Sequence, residues 1–201
     1  MIECPSFAYW RALALGLGLW SGAFSSQAAS NSVPQYASRV WQMEDGLPHT
    51  IVQAITQTRN GFLWVGSREG MARFDGVSFL SFTAREFGTG LVQPSVTHLC
   101  ETRDGSLWIG TENLGLFRLF QGRISRLRRA EGLRSDLVAG LQEMPDGSLW
   151  IAAGGLACLS DGKLAYPFQP QVTGSVALLF LDPEGVLWMA GRGVKTWPTG
   201  K

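Results

Sequence analysis

One short phrase recurs four times along the chain: Asn60-Gly-Phe-Leu-Trp-Val-Gly66, Asp104-Gly-Ser-Leu-Trp-Ile-Gly110, Asp146-Gly-Ser-Leu-Trp-Ile-Ala152 and Glu184-Gly-Val-Leu-Trp-Met-Ala190. The tryptophans Trp64, Trp108, Trp150 and Trp188 are separated by 44, 42 and 38 residues. That period belongs to repeated β units and excludes helical heptads and short solenoid coils. Around each phrase lie three further apolar segments separated by glycine-bearing turns. In the first unit strands are expected at 51–57, 62–67, 71–74 and 78–82, and Phe79-Leu-Ser-Phe82 alternates as a half-buried strand should.

The expected fold is all-β: a β-propeller of four-stranded antiparallel blades at about 46–83, 90–128, 132–168 and 173–201. The first turn of each unit contains Gly61, Gly105, Gly147 or Gly185. An Asn or Asp precedes that glycine in three of the four, the chemistry of a type I′ hairpin. A second glycine turn follows at Asp75-Gly76, Gln121-Gly122, Asp161-Gly162 and Thr199-Gly200. The last of these turns lies at residue 200 of 201, so the fourth unit is expected to lack its outer strand. Ser38-Arg-Val-Trp-Gln-Met43 precedes Gly46-Leu47 as 123–127 precedes Gly132-Leu133, so 38–43 reads as an orphan outer strand. Such a strand either closes a small ring or belongs to a larger wheel, and the expectation is a partial wheel. The tryptophans are expected to act as wedges, each packing on a neighbouring blade.

The 17 Lys and Arg against 16 Asp and Glu exclude the strong basic field of a nucleic-acid binder. Residues 1–28 have the shape of a secretory signal: Arg11, an apolar run from Ala12 to Leu19, then Ser26-Gln27-Ala28. A linker at 29–37 would follow. The run is shorter than the roughly 18 residues of a membrane span, so the mature chain is expected to be exported, with a membrane reached only through a missing C-terminal region. Cys100 and Cys158 fall in different units, where two small buried hydrophobes are expected rather than a bridge.

At Gly46-Leu-Pro48, Gly61-Phe-Leu-Trp-Val-Gly66 and Gly70-Met-Ala-Arg-Phe-Asp-Gly76 the chain resembles the two-component regulator propeller repeat, over about residues 39–201. The resemblance implies the periplasmic sensor region of a bacterial hybrid histidine kinase or a propeller-bearing diguanylate cyclase. The output domain would lie outside this chain. The match weakens where Ala152 replaces glycine and where Leu156-Ala-Cys-Leu stands in place of Arg-Phe-Asp-Gly.

No motif of nucleophilic, phosphoryl-transfer or metal chemistry occurs, so catalytic residues, metal and cofactor are all expected to be absent. His98 lies mid-strand as a core or channel residue. Ligands of propellers gather where loops converge at the channel mouth. The candidates there are His49, Thr50, Arg68, Glu69, Glu112, Asn113, Ser135, Asp136 and Arg192, whose mixed charges and amides suit an oligosaccharide or other polar ligand. Arg118, Arg123, Arg126, Arg128, Arg129 and Arg134 form a basic cluster, expected as a solvated edge or a contact with another protomer or an attached signalling domain. Rival expectations are a propeller lyase, glycosidase or quinoprotein acting on polysaccharide, and a protein-interaction scaffold.

Overall fold

Each apolar run finds its ladder partner in the next run along the chain, so the blades form from local hairpins. The computed structural model describes residues 38–167, 176–191 and 193–198. The expected signal at 1–28, the linker at 29–37, Thr173-Gly174, Arg192 and Thr199-Gly200 lie outside the described residues. Blade 1 contains β1 (Val52–Gln57), β2 (Leu63–Ser67), β3 (Gly70–Phe74) and β4 (Phe79–Phe82), and a short helix, α1 (Ala84–Phe87), follows. Blade 2 contains β5 (Val96–Glu101), β6 (Leu107–Thr111), β7 (Leu116–Phe120) and β8 (Arg123–Leu127). Blade 3 contains β9 (Gly140–Glu143), β10 (Leu149–Ala152), β11 (Leu156–Ser160) and β12 (Lys163–Ala165). The fourth blade has three strands, β13 (Leu178–Leu181), β14 (Val186–Gly191) and β15 (Gly193–Pro198). All pairings are antiparallel in chain order, and the inner strands β1, β5, β9 and β13 lie against one another in sequence. This is a β-propeller architecture of four blades, the last with three strands among the described residues.

The period of two along the second strand assigns its side chains to opposite faces. Trp64 packs towards blade 2 with Met71, Val96 and Phe117. Trp108 packs in the cluster shared by blades 2 and 3, and Trp150 in that of blades 3 and 4. The residue after each tryptophan faces the preceding blade: Ile109, Ile151 and Met189 lie in these same three clusters. The turn before the strand orients each indole. Its N–H donates to Thr58 Oγ1 at 3.2 Å, Thr102 Oγ1 at 3.1 Å, Ser148 Oγ at 3.0 Å and Asp182 Oδ2 at 2.7 Å in the four blades. Burial of one such side chain is worth roughly 4–6 kcal/mol before entropy.

Trp188 departs from the wedge expectation. It is 42% exposed where Trp64 is 5% exposed, because no described blade follows on that face. Leu178 and Phe180 are exposed on the same blade, and Phe180 stands opposite Trp188 in the ladder.

Two expectations about the chain path are also corrected. The segment 38–43 joins no ladder among the described residues. Ser38–Gln42 has no regular structure and Met43–Asp45 is a single 3-10 turn. Trp41 instead lies edge-on to Phe74 and Phe79 at 4.9 and 5.4 Å between ring centroids. With Leu47 it covers Val65 and Ala72, on the face of blade 1 against which no described blade packs. The first turns are not type I′, because Asn60, Asp104 and Asp146 do not have positive φ. Gly61, Gly105, Gly147 and Gly185 do, and each donates its N–H to the carbonyl three residues earlier. That is the three-residue hairpin in which a left-handed glycine follows a regular turn. Type I′ geometry appears at the second turns of blades 2 and 3, where Gln121-Gly122 and Asp161-Gly162 have consecutive positive φ.

Blades approach closely where the first and second strands face their neighbour. A Cβ on Gly66 would lie 2.5 Å from Val96 Cγ1, and one on Gly110 would lie 2.8 Å from Val138 Cγ1. Ladder partners Ala54 and Gly66, His98 and Gly110, and Gly140 and Ala152 each combine one glycine with one side chain. Ala152, the apparent lapse of the repeat, is matched by Gly140 across the strand.

Candidate functional site

Loops after β2, β6 and β10 and the segments leading into β1, β5 and β9 gather at one end of the blades, the loop face. The link from β4 to β5, residues 83–95, is the longest connection between described strands of neighbouring blades. It begins with a cap in which Thr83 N–H donates to Glu86 Oε2 at 2.8 Å, and its tip leaves Leu91 98% exposed. Blade 2 holds its far end. Ser95 N–H donates to Asn113 Oδ1 at 3.4 Å, and Asn113 Nδ2 donates to the Gln93 carbonyl at 3.3 Å. Ser95 Oγ lies 3.1 Å from Glu112 Oε2 and 3.2 Å from Gln53 Oε1 of blade 1. The result is an exposed polar array spanning two blades: Gln53, Gln93, Ser95, Glu112 and Asn113.

The structure brings together only two of the residues expected from sequence, Glu112 and Asn113. Thr50, Arg68 and Glu69 are exposed on the loops around blade 1, and His49 Nδ1 accepts the Ile51 N–H at 2.9 Å. Ser135 and Asp136 shape their own loop: Ser135 Oγ accepts from Leu137 N–H at 3.0 Å and Asp136 Oδ1 from Arg129 N–H at 3.1 Å. Arg192 lies outside the described residues. Gln53, Gln93 and Ser95 were not expected from sequence, because single amides and hydroxyls beside strands carry no pattern of their own.

The basic cluster does not form one edge. Arg118 pairs with Asp104 at 2.7 Å, Arg126 Nε donates to the Leu114 carbonyl at 2.7 Å, and Arg128 pairs with Glu131 at 3.4 Å. Arg134 lies over the Tyr166 ring at 4.1 Å. These four arginines are each engaged by their own part of the blade.

His98 sits between blades 2 and 3, its Cβ turned to the same side as Gly110. Its Nδ1 is buried without a hydrogen-bond partner. Burial pushes its pKa below the ordinary 6.5, opposed by a backbone hydrogen bond at Val138. The folded ring is therefore the neutral form, and the unfolded chain binds the extra proton first as pH falls. Its contribution to stability is complete above about pH 6.5 and lost progressively below it. The melting temperature should fall between pH 7 and pH 5, and His98→Gln should flatten that slope. Cys100 and Cys158 are free thiols, both pushed up in pKa by burial.

At the opposite end, the turn face, side chains clasp consecutive blades. Arg59 N–H donates to Glu101 at 2.9 Å, while its guanidinium donates to the carbonyls of Arg103 and Thr102 at 3.0 and 2.8 Å. Arg103 repeats the reach, its N–H to Glu143 at 2.8 Å and its guanidinium to the Pro145 carbonyl at 2.6 Å. In blades 3 and 4 the corresponding positions are Pro145 and Pro183, which cannot donate in this way. Among the described residues, no group of three or more His, Cys, Asp or Glu is placed to hold a metal ion. No described helix is long and apolar enough to cross a membrane.

Residues 46–69 and 90–113 match the family model described as two component regulator propeller. No curated protein matches the sequence. Among solved structures, the extracellular domain of a hybrid two component system from B. thetaiotaomicron superposes with a TM-score of 0.64 at 20% identity, over 78% of this chain and 22% of that one. A catalytically inactive virginiamycin B lyase from Staphylococcus aureus gives 0.55 at 14% identity, over 74% and 56%. PorZ, a surface component of the type-IX secretion system of Porphyromonas gingivalis, gives 0.51 at 14%, over 72% and 25%. At these identities the likeness is one of fold. The chain spans only about a fifth of the length of the first of these proteins.

Proposed function

We propose that this chain, which carries two component regulator propeller repeats at 46–69 and 90–113, is an exported ligand-sensing module of a bacterial signal-transduction receptor. Catalysis is assigned elsewhere in such a receptor, and this chain binds without turnover. The observation that carries the proposal is the polar array on the loop face. Gln53 belongs to blade 1, Glu112 and Asn113 to blade 2, and Gln93 and Ser95 to the connection between them. A ligand that replaces these mutual hydrogen bonds with its own shifts one blade against the other, which is how binding at a loop face reaches an attached domain. Amides, a carboxylate and a hydroxyl within hydrogen-bond reach of one another suit a polyhydroxylated ligand, such as an oligosaccharide. The exposed tip at Leu91 and the face of blade 4 at Leu178, Phe180 and Trp188, exposed among the described residues, are surfaces for another protomer or an attached domain.

An oligosaccharide array probed with the full chain tests the proposal. Binding should be lost, or weakened at least tenfold, in the Glu112→Gln, Asn113→Ala double variant. Two exposed substitutions of this kind leave the fold intact. Cleavage of an arrayed polysaccharide by the purified chain would overturn the assignment in favour of an enzyme.

A further inference from the structure

The repeat builds one chemical group on the turn face that is complete in blade 2 and incomplete in blades 1 and 3, in opposite ways. In blade 2, Arg118 stands opposite Trp108. Its Nε donates to Ser106 Oγ at 2.8 Å and its Nη2 to Asp104 Oδ2 at 2.7 Å. Burial alone would raise the Asp104 carboxyl. Hydrogen bonds from Thr102 and Ser106, with the Arg118 charge, bring it down to about 2. Blade 3 keeps the acid and hydroxyl, Asp146 and Ser148, with Cys158 in place of the arginine. Blade 1 does the reverse. Arg73 stands opposite Trp64, but Asn60 and Phe62 occupy the positions of Asp104 and Ser106.

Asn60 copies the backbone role of Asp104. Its Oδ1 accepts from Thr58 Oγ1 at 2.7 Å and from Phe62 N–H at 3.4 Å, as Asp104 Oδ1 accepts from Thr102 Oγ1 and Ser106 N–H. Its second terminal atom is then an amide nitrogen, a donor where blade 2 has an acceptor. The Arg73 guanidinium lies 4.3 Å from the centroid of the Phe62 ring, and its Nε is buried with no hydrogen-bond partner. No carboxylate among the described residues pairs with it. A buried guanidinium nitrogen without an acceptor is costly and rare.

A groove of about 510 Å³ opens at this point between blades 1 and 2, lined by Arg73 together with Phe82, Leu119 and Ile124. Glu86 and Glu101 also line it. Each is already held, Glu86 by Thr83 and Glu101 by Arg59. Their charges disfavour a dianion such as phosphate, while the apolar wall favours a ligand with a hydrophobic body. The equivalent groove between blades 2 and 3, about 380 Å³, is lined by Arg118 with its own Asp104.

We propose that the groove between blades 1 and 2 binds a small organic carboxylate, its carboxylate taking on Arg73 the place that Asp104 takes on Arg118, and its apolar body resting on Phe82, Leu119 and Ile124. The groove runs between the blades from the Asn60 turn to Glu86 at the start of the 83–95 connection. None of its lining residues belongs to the polar array, and the proposal does not depend on the sensing role proposed there. Arginine and carboxylate form charge-assisted bonds of fixed planar geometry, so a neutral amide of the same shape is a poor substitute.

The test uses the full chain and phenylacetate as probe, followed by NMR at the arginine Nε–H and tryptophan indole N–H signals. Phenylacetate should shift the Arg73 and Trp64 signals and leave Arg118 unmoved, and phenylacetamide should bind at least tenfold more weakly. Asn60→Asp gives Arg73 the internal acid of blade 2 and should weaken phenylacetate at least tenfold. It uses the residue that blades 2 and 3 already carry at this turn, so the fold is kept. Arg73→Gln should abolish binding. Unmoved Arg73 and Trp64 signals, equal affinity for the amide, or undiminished binding by Asn60→Asp would each overturn the site.

Discussion

Replacing Trp64 with alanine is expected to cost about 3–5 kcal/mol of stability, the range for emptying a large aromatic site in a packed core. The same change at Trp188 should cost no more than about 1 kcal/mol, as for a surface substitution away from special features. Both tryptophans stand at the same position of the repeat, and both donate their indole N–H to the preceding turn. They differ in what lies beyond them. Trp64 has blade 2 against it, whereas 42% of Trp188 is open to solvent. Chemical denaturation followed by far-ultraviolet circular dichroism measures the two costs without relying on the fluorescence that the substitutions remove. Equal costs would mean that the indole stabilises its own blade and does not wedge two blades apart.

Gly66→Ala should destabilise by about 1–3 kcal/mol, the usual penalty for overpacking. Its new Cβ would meet Val96 Cγ1 at 2.5 Å, a methyl of the next blade held in a fully buried site. Val96→Ala removes that methyl. The double variant should therefore be more stable than the sum of the single costs predicts, with a coupling of about 0.5–3 kcal/mol. Additive costs would show that the glycine serves the local strand rather than the spacing between blades.

The blades were legible in sequence because their determinants are local. Alternation, glycine turns and the Leu-Trp pair place the four strands of blade 1, expected at 51–57, 62–67, 71–74 and 78–82, within one residue of their observed limits. What escaped were features set by a neighbouring blade. Asn-Gly and Asp-Gly suit a type I′ turn in isolation. The Asx side chain, however, accepts hydrogen bonds from the residue two before it and the residue two after it, and that holds the longer turn. Ala152 looked like decay of the repeat until Gly140 was seen opposite it. The arginines of blade 2 looked like a cluster in one dimension, yet Arg118 turns to Asp104 and Arg126 to the Leu114 carbonyl.

For the loop face, position in the repeat located Glu112 and Asn113 but not their partners. Gln53 is 42 residues from Ser95, and only the packing of blade 1 on blade 2 brings them together. Arg73 was visible as part of an Arg-Phe-Asp-Gly element. Its chemical situation emerges only when the three blades are compared residue by residue: acid without arginine, arginine with acid, and arginine without acid.

Hydrogen–deuterium exchange on the full chain, with and without an oligosaccharide selected on the array, tests the sensing role most directly. The account predicts slowed exchange in 83–95 and 112–115, the two loops joined by the polar array, with the turn-face segments 58–62 and 102–106 unchanged. Protection confined to the turn face, or none on the loop face at saturating oligosaccharide, would contradict it.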